Sequence, residues 1–96
     1  MNIRETIQEI LRANLKIARL EVIDDSPKHQ GHPEAVKSVG GHFKLLIVSD
    51  DFVGKPLVAR HKRIYDLLKG KIGRDIHALA IQTFTLAEFM KRGRSY

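Results

Sequence analysis

No cysteine occurs anywhere in the 96 residues, which excludes a disulfide scaffold, a thiol nucleophile, a Cys-ligated zinc site and any iron–sulfur cluster held by the chain's own thiolates. The five histidines are then its only soft ligands, and any thiolate chemistry beside them has to arrive on another molecule. Tryptophan is absent and only six residues are Phe or Tyr, few for a surface that stacks single-stranded bases. With three prolines and seven glycines the composition fits neither a disordered nor a fibrous chain. Apolar runs stop at four residues, Leu45 to Val48 and Ala78 to Ile81, and Glu5 and Glu9 interrupt the N-terminus where a signal peptide needs an apolar stretch. The expectation is a soluble cytoplasmic protein folded as a single domain over 1–96.

Acidic residues are scarce in one part of the chain. Residues 1–54 hold seven Lys and Arg against eight Asp and Glu, whereas residues 55–96 hold ten against three. The whole excess of +6 therefore comes from the C-terminal part. Such asymmetry suits nucleic acid, an anionic cofactor or an acidic protein surface, and equally a solvated face that keeps the protein dispersed.

Ile3, Ile7, Ile10, Leu11 and Leu15 recur at helical spacing, with Asn2 and Glu5 placed as a capping box. Residues Arg19 to Ile23 alternate as a short strand with Leu20 and Val22 on one face. His42 to Ser49 reads as a second strand, apolar enough on both faces to be central, with Phe43, Leu45 and Ile47 together. After Pro56 a helix is expected with an inward stripe of Leu57, Ile64 and Leu68, flanked by Ala59, Tyr65 and Leu67, ending near Gly70 and Gly73. Ile76 to Thr83 alternates again, with His77, Leu79, Ile81 and Thr83 on one face, and Thr85 with Glu88 opens a last short helix. The order is helix, strand, strand, helical segment, strand, helix. A helical crossover of 26 residues, Asp50 to Asp75, favours a parallel pairing of the second and third strands, whereas the first two can pair antiparallel through the long loop. The fold class is thus α+β, type II KH-like, with helices covering a three-stranded mixed sheet.

The 18 residues from Asp24 to Gly41 are rich in turn formers and carry His29 and His32, and a connection of that length in a compact domain tends to be functional or disordered. His-x-x-His alone is a weak metal signal. His77, at the start of an apolar strand, has to be satisfied or used. Catalytic signatures are absent: no Gly-x-Ser-x-Gly elbow, no phosphate-binding glycine loop after a strand, no His-Glu-x-x-His. Asp24-Asp25 and Asp50-Asp51 read as turn formers, because neighbours on an extended chain point apart, so the chain is not expected to be an enzyme. Lys55, Arg60, His61, Lys62, Arg63, Lys69, Lys71 and Arg74 line the helical segment and form a candidate face for a partner or for phosphates. Gly70-Lys71-Ile72-Gly73 has the Gly-x-x-Gly spacing of KH domains, yet it follows a helix and leads into a strand, where a helix cap explains both glycines.

Taken in order, Leu20-Glu21-Val22-Ile23-Asp24-Asp25-Ser26, the His-bearing loop, Gly41-His42-Phe43, Phe52-Val53-Gly54-Lys55, Arg60-His61-Lys62 with Ile64-Tyr65, and Ile76-His77-Ala78-Leu79 resemble the BolA family over nearly the whole chain. The resemblance implies pairing with a monothiol glutaredoxin and a shared bridging [2Fe–2S] cluster, in iron–sulfur trafficking or iron sensing. It implies His77 as one ligand and a residue of the long loop as the second, His32 by position or alternatively His29, with His42 structural or a substitute. The glutaredoxin and glutathione would supply the thiolates, and the isolated chain would hold no cofactor. Imidazole ligation leaves a cluster less negative than thiolate ligation and more labile to protonation. The same family is also described as transcriptional regulators, which makes DNA a second expected partner through the basic segment. No membrane partner is expected, and a weak homodimer is a further alternative.

Overall fold

A computed structural model of the chain describes residues 3–25 and 41–93. Along it run α1 (Ile3–Asn14), β1 (Ile17–Asp24), β2 (His42–Ser49), a 3-10 turn (Asp50–Phe52), α2 (Leu57–Leu68), β3 (Ala78–Phe84) and α3 (Leu86–Gly93). The strands form one sheet in the order β1-β2-β3, with β1 antiparallel and β3 parallel to β2. The connection lengths permit both pairings, and the helical crossover favours the parallel one. The expected α+β, three-stranded mixed-sheet architecture is therefore the one observed, with β2 central.

The core lies between one face of the sheet and the helices α1 and α2. Ile7 and Leu11 of α1, Val22 of β1, Phe43, Leu45 and Ile47 of β2, Phe52, and Ile64 and Leu68 of α2 are all buried there. Alternation puts Phe43, Leu45 and Ile47 on that face opposite Leu79, Ile81 and Thr83 of β3. On the outer face α3 covers one end, where Phe89 packs against Phe84 with ring centres 5.8 Å apart and the Arg19 guanidinium lies 5.6 Å from the Phe89 ring. The turn formers Asp50 and Asp51 have defined jobs: Asp51 accepts the Lys16 N–H at 2.8 Å and Asp50 the Leu86 N–H at 3.1 Å, tying the end of α1 and the start of α3 to the same turn.

Three expectations need correction. β1 is longer than its alternating stretch, because Ile17 pairs with Ser49 across a register irregularity. Leu57 is 60% exposed, and the inward stripe of α2 is Arg60, Ile64 and Leu68. Arg60, one turn before Ile64, is the buried residue nearest the start of this helix, with its guanidinium 5.8 Å from the Phe52 ring. Finally, β3 begins at Ala78, after an isolated bridge between Ile72 and Ile76, so Ile76 is a core residue ahead of the strand and His77 does not share the strand's core face. The Asn2 cap and the loop histidines His29 and His32 lie outside the described residues.

Candidate functional site

Because β1 is antiparallel and β3 parallel to β2, the end of β1, the start of β2 and the approach to β3 meet at one end of the sheet. The Asp25 N–H donates to the His42 carbonyl at 2.7 Å, and the Gly41 carbonyl accepts the N–H groups of both His77 and Ala78, at 2.8 and 3.2 Å. Gly41 has φ +77, and a Cβ there would press against the Asp75 carbonyl oxygen and lie 3.1 Å from the His77 imidazole. Only glycine allows so close an approach in this conformation. The chain before His77 is equally fixed: the Lys71 carbonyl accepts N–H groups from Arg74, Asp75 and Ile76 at 3.2, 3.0 and 3.0 Å, Gly73 donates to Ile76 at 2.8 Å, and the Ile76 side chain is buried. His77 is thus an exposed imidazole on a rigid backbone mount.

Beside it lies a shallow cup of about 200 Å³ lined by Asp25, His42, Lys44, Ala78 and Ala80, across which Lys44 and Asp25 form an ion pair at 3.5 Å. Half-buried His42 sits across the ladder from Ala78. Among the described residues no three His, Asp or Glu gather into a metal-binding group, so His77 needs further ligands to hold a metal. Asp25 and Gly41, which flank residues 26–40 with His29 and His32, are both at this end of the sheet.

The basic residues of the helical segment do not form one face. Lys55, Lys62 and Arg63 are exposed around a groove of about 500 Å³ against the end of α1, together with Asn14, Asp51 and Asp66. There Lys62 pairs with Asp66 at 2.8 Å, a hydrogen bond that holds the Asp66 carboxyl below its usual range. Lys69 and Arg74 are exposed and Lys71 half-buried in the turn that leads to His77, while half-buried His61 lies on another side of α2.

Arg60 departs from the rest of the set. Its side chain is 8% exposed and three of its five N–H donors are engaged: Nε donates to the Lys55 carbonyl at 2.7 Å, and the two terminal nitrogens donate to the Glu88 carboxylate at 2.7 and 3.1 Å. Glu88 in turn accepts the Thr85 N–H at 2.9 Å while its own N–H donates to the Thr85 hydroxyl at 3.1 Å, the reciprocal capping box expected at the start of α3. The bond from Arg60, reinforced by the Thr85 N–H, pulls the Glu88 carboxyl from 4.5 to about 2. The guanidinium is therefore committed to joining α2 and α3, with its bidentate fork spent on Glu88 and little of it exposed to a partner. A sequence signal existed for this pair, since Arg60 stands at the head of the Ile64, Leu68 stripe and the capping box placed a carboxylate at Glu88.

Comparison with known proteins extends these observations. The family model for BolA-like proteins matches residues 11–88. A DNA-binding transcriptional regulator BolA of Escherichia coli (strain K12) is 42% identical over 89 residues, covering 93% of this chain and 81% of its own. Among solved structures, BolA1 from Arabidopsis thaliana superposes with a TM-score of 0.79 at 32% identity, covering 92% of this chain and 96% of its own. The BolA domain of SufE1 from Arabidopsis thaliana gives 0.74 at 40% identity over the same shares. The family match over residues 11–88 takes in the sheet that mounts His77 and the α2–α3 unit closed by Arg60, and on these grounds the chain belongs to the BolA-like protein family.

Proposed function

We propose that this chain pairs with a monothiol glutaredoxin and contributes His77 as a ligand to a [2Fe–2S] cluster bridging the two proteins, in iron–sulfur trafficking or iron sensing. The observation that carries the proposal is the exposed imidazole of His77 on a backbone fixed by the Gly41 carbonyl. A ligand held this way loses little freedom on binding, which favours a bond made across an interface. The donor chemistry fits as well: a chain with no thiolate can offer such a cluster only imidazoles, leaving the thiolates to glutaredoxin and glutathione. When bound, the cluster would supply a redox-active and transferable iron–sulfur centre. This chain's residues would ligate it and orient the partner, with Lys69, Lys71 and Arg74 beside His77 available to carboxylates of glutathione or glutaredoxin.

The second ligand we assign to His32, with His29 as the alternative, on a segment flanked by Gly41, which adjoins His77, and by Asp25, which bonds to His42. The test is a titration of the chain into cluster-loaded monothiol glutaredoxin with glutathione, followed by visible circular dichroism. A signal saturating at about one chain per glutaredoxin, lost with His77→Ala and weakened more by His32→Ala than by His29→Ala, is expected. An unchanged spectrum with His77→Ala removes the role of His77, and the reverse loop order reassigns the second ligand.

A second reading has its own support. A relative 42% identical over 93% of this chain is named a DNA-binding transcriptional regulator, and Lys55, Lys62, Arg63, Lys69 and Arg74 are exposed. Duplex DNA is thus a second candidate partner, reached by phosphate contacts.

A further inference from the structure

The two edges of the sheet differ in how open they are to another strand. β1 carries Arg19 and Glu21 and has a register irregularity between Ile17 and Arg19, features that turn an incoming strand away. β3 reads Ala-Leu-Ala-Ile-Gln-Thr-Phe, with no charge, no proline and an unbroken register against β2. The Ala78 N–H points inward to the Gly41 carbonyl. By the two-residue period of a strand, the N–H and C=O groups of Leu79, Ile81 and Thr83 point to the open edge. The Tyr65 hydroxyl, which donates to the Leu79 carbonyl at 3.3 Å, marks the same direction independently. Among the described residues no strand pairs with this edge.

An apolar shelf accompanies it. Tyr65 meets Leu79 near the start of β3, and Arg60, earlier in α2, meets Glu88 beyond its end, so α2 runs antiparallel to the strand. Val58 lies seven residues before Tyr65 and Leu57 eight, on the same side of the helix. These three are 80%, 60% and 41% exposed, respectively, for Val58, Leu57 and Tyr65.

We propose that β3 is a self-association edge: two copies of this chain pair β3 with β3 antiparallel about a two-fold axis at Ile81, forming one continuous six-stranded sheet. A two-fold interface has to be complementary to itself. For a chain of net charge +6, an unbalanced positive surface would repel its own copy, whereas β3 itself carries no charge and Leu57, Val58 and Tyr65 add apolar area beside it, with Lys62 and Lys69 at its rim. The register is self-consistent, because an axis at Ile81 sets Leu79 of one copy opposite Thr83 of the other, both turn their backbone groups outward, and the Leu79 carbonyl, which accepts the Tyr65 hydroxyl, keeps a second lone pair for an incoming N–H. The α2 helices then lie on the same face of the joined sheet and bring their apolar shelves together across the axis. The inference is independent of the cluster role, since it uses neither His77 nor the loop histidines, and His61, which lies between Val58 and Tyr65 on the shelf, is not among the proposed ligands.

The test combines sedimentation equilibrium of the full chain across a concentration series with amide hydrogen exchange read by NMR. A monomer–dimer equilibrium is expected that favours the dimer as salt rises from about 0.05 to about 0.5 M, because screening relieves the repulsion of two positive chains. With rising protein concentration the amides of Ile81 and Thr83 should slow, while those of Ala80 and Gln82, already bonded to β2, stay unchanged. Val58→Lys should weaken the dimer about tenfold or more with an unchanged far-ultraviolet spectrum, and Ile81→Pro, which removes an outward N–H and no ladder bond, should abolish it. A monomer at every concentration overturns the proposal, as does a dimer in which Ile81 and Thr83 exchange at the monomer rate or Val58→Lys has no effect. Protection of those amides only when another protein is added assigns the edge to that protein instead.

Discussion

Gly41 and Glu88 are the residues through which single side chains, or the lack of one, govern larger parts of the molecule. At φ +77 and packed against Asp75 and His77, Gly41 has no substitute. Gly41→Ala should cost about 1–3 kcal/mol in urea unfolding and, by displacing His77, weaken the visible circular dichroism of the glutaredoxin complex even where the variant remains folded. A stability loss with an unaltered complex would separate the mount from the ligand. Glu88 acts through charge. Its folded pKa of about 2 lies below its ordinary value of 4.5, so the pair with Arg60 contributes fully above about pH 4.5 and its contribution is lost as pH falls towards 2. Glu88→Gln should therefore lower stability by about 1–2 kcal/mol near neutral pH, discounted because the carboxylate is half-exposed, and should flatten the acid limb of a pH–stability curve measured between about 5 and 2. An acid limb identical to that of the parent chain would show that other carboxylates set it.

α2 is the element whose pattern misleads most. Its heptad-like spacing assigns Leu57 to the core, yet Leu57 is exposed and the buried stripe is Arg60, Ile64 and Leu68. Spacing reports the periodicity of a face and carries no information about which residue has a partner waiting across the fold. Arg60 faces inward because α3 delivers Glu88 and the residue before the helix delivers the Lys55 carbonyl. Leu57→Ala should consequently change stability by less than about 0.5 kcal/mol, while Ile64→Ala, at a fully buried position, should cost about 2–5 kcal/mol. Equal losses in thermal or urea melts would contradict the observed facing of the helix. In β2, by contrast, the stretch His42 to Ser49 coincides with the observed strand, because a strand bounded by Gly41 and a Ser49-capped turn has its limits written in local residues.

Charge acts on the whole molecule. The excess of +6 arises in the C-terminal part, but folding divides it between a mixed-charge groove beside α1 and the turn that leads to His77. If duplex DNA is a partner, its affinity should fall steeply with salt, by a slope near −0.9 per phosphate contacted. Lys62→Glu with Arg63→Glu should reduce that slope by about two, as measured by fluorescence anisotropy across a salt series, if both side chains contact phosphates. A salt-independent affinity would leave the basic residues without a phosphate role. No helix among the described residues is long and apolar enough to cross a membrane.

The chain's local patterns are enough to specify the element order, the parallel pairing of β2 with β3 and the Thr85–Glu88 cap, because each depends on spacing, connection length or residues a few positions apart. Local spacing does not single out His77 as a ligand; that expectation comes from the resemblance of Ile76-His77-Ala78-Leu79 to the BolA family. Nor does spacing give its exposure, since the same alternation places it on a core face. That outcome depends on Gly41 and Asp75, 34 residues apart, packing against each other so that the strand begins one residue after His77. The burial of Arg60 is likewise settled by a carboxylate 28 residues away. Long-range contacts of this kind leave no periodic trace in the chain, and they convert a row of basic residues into one structural guanidinium and two separate charged surfaces.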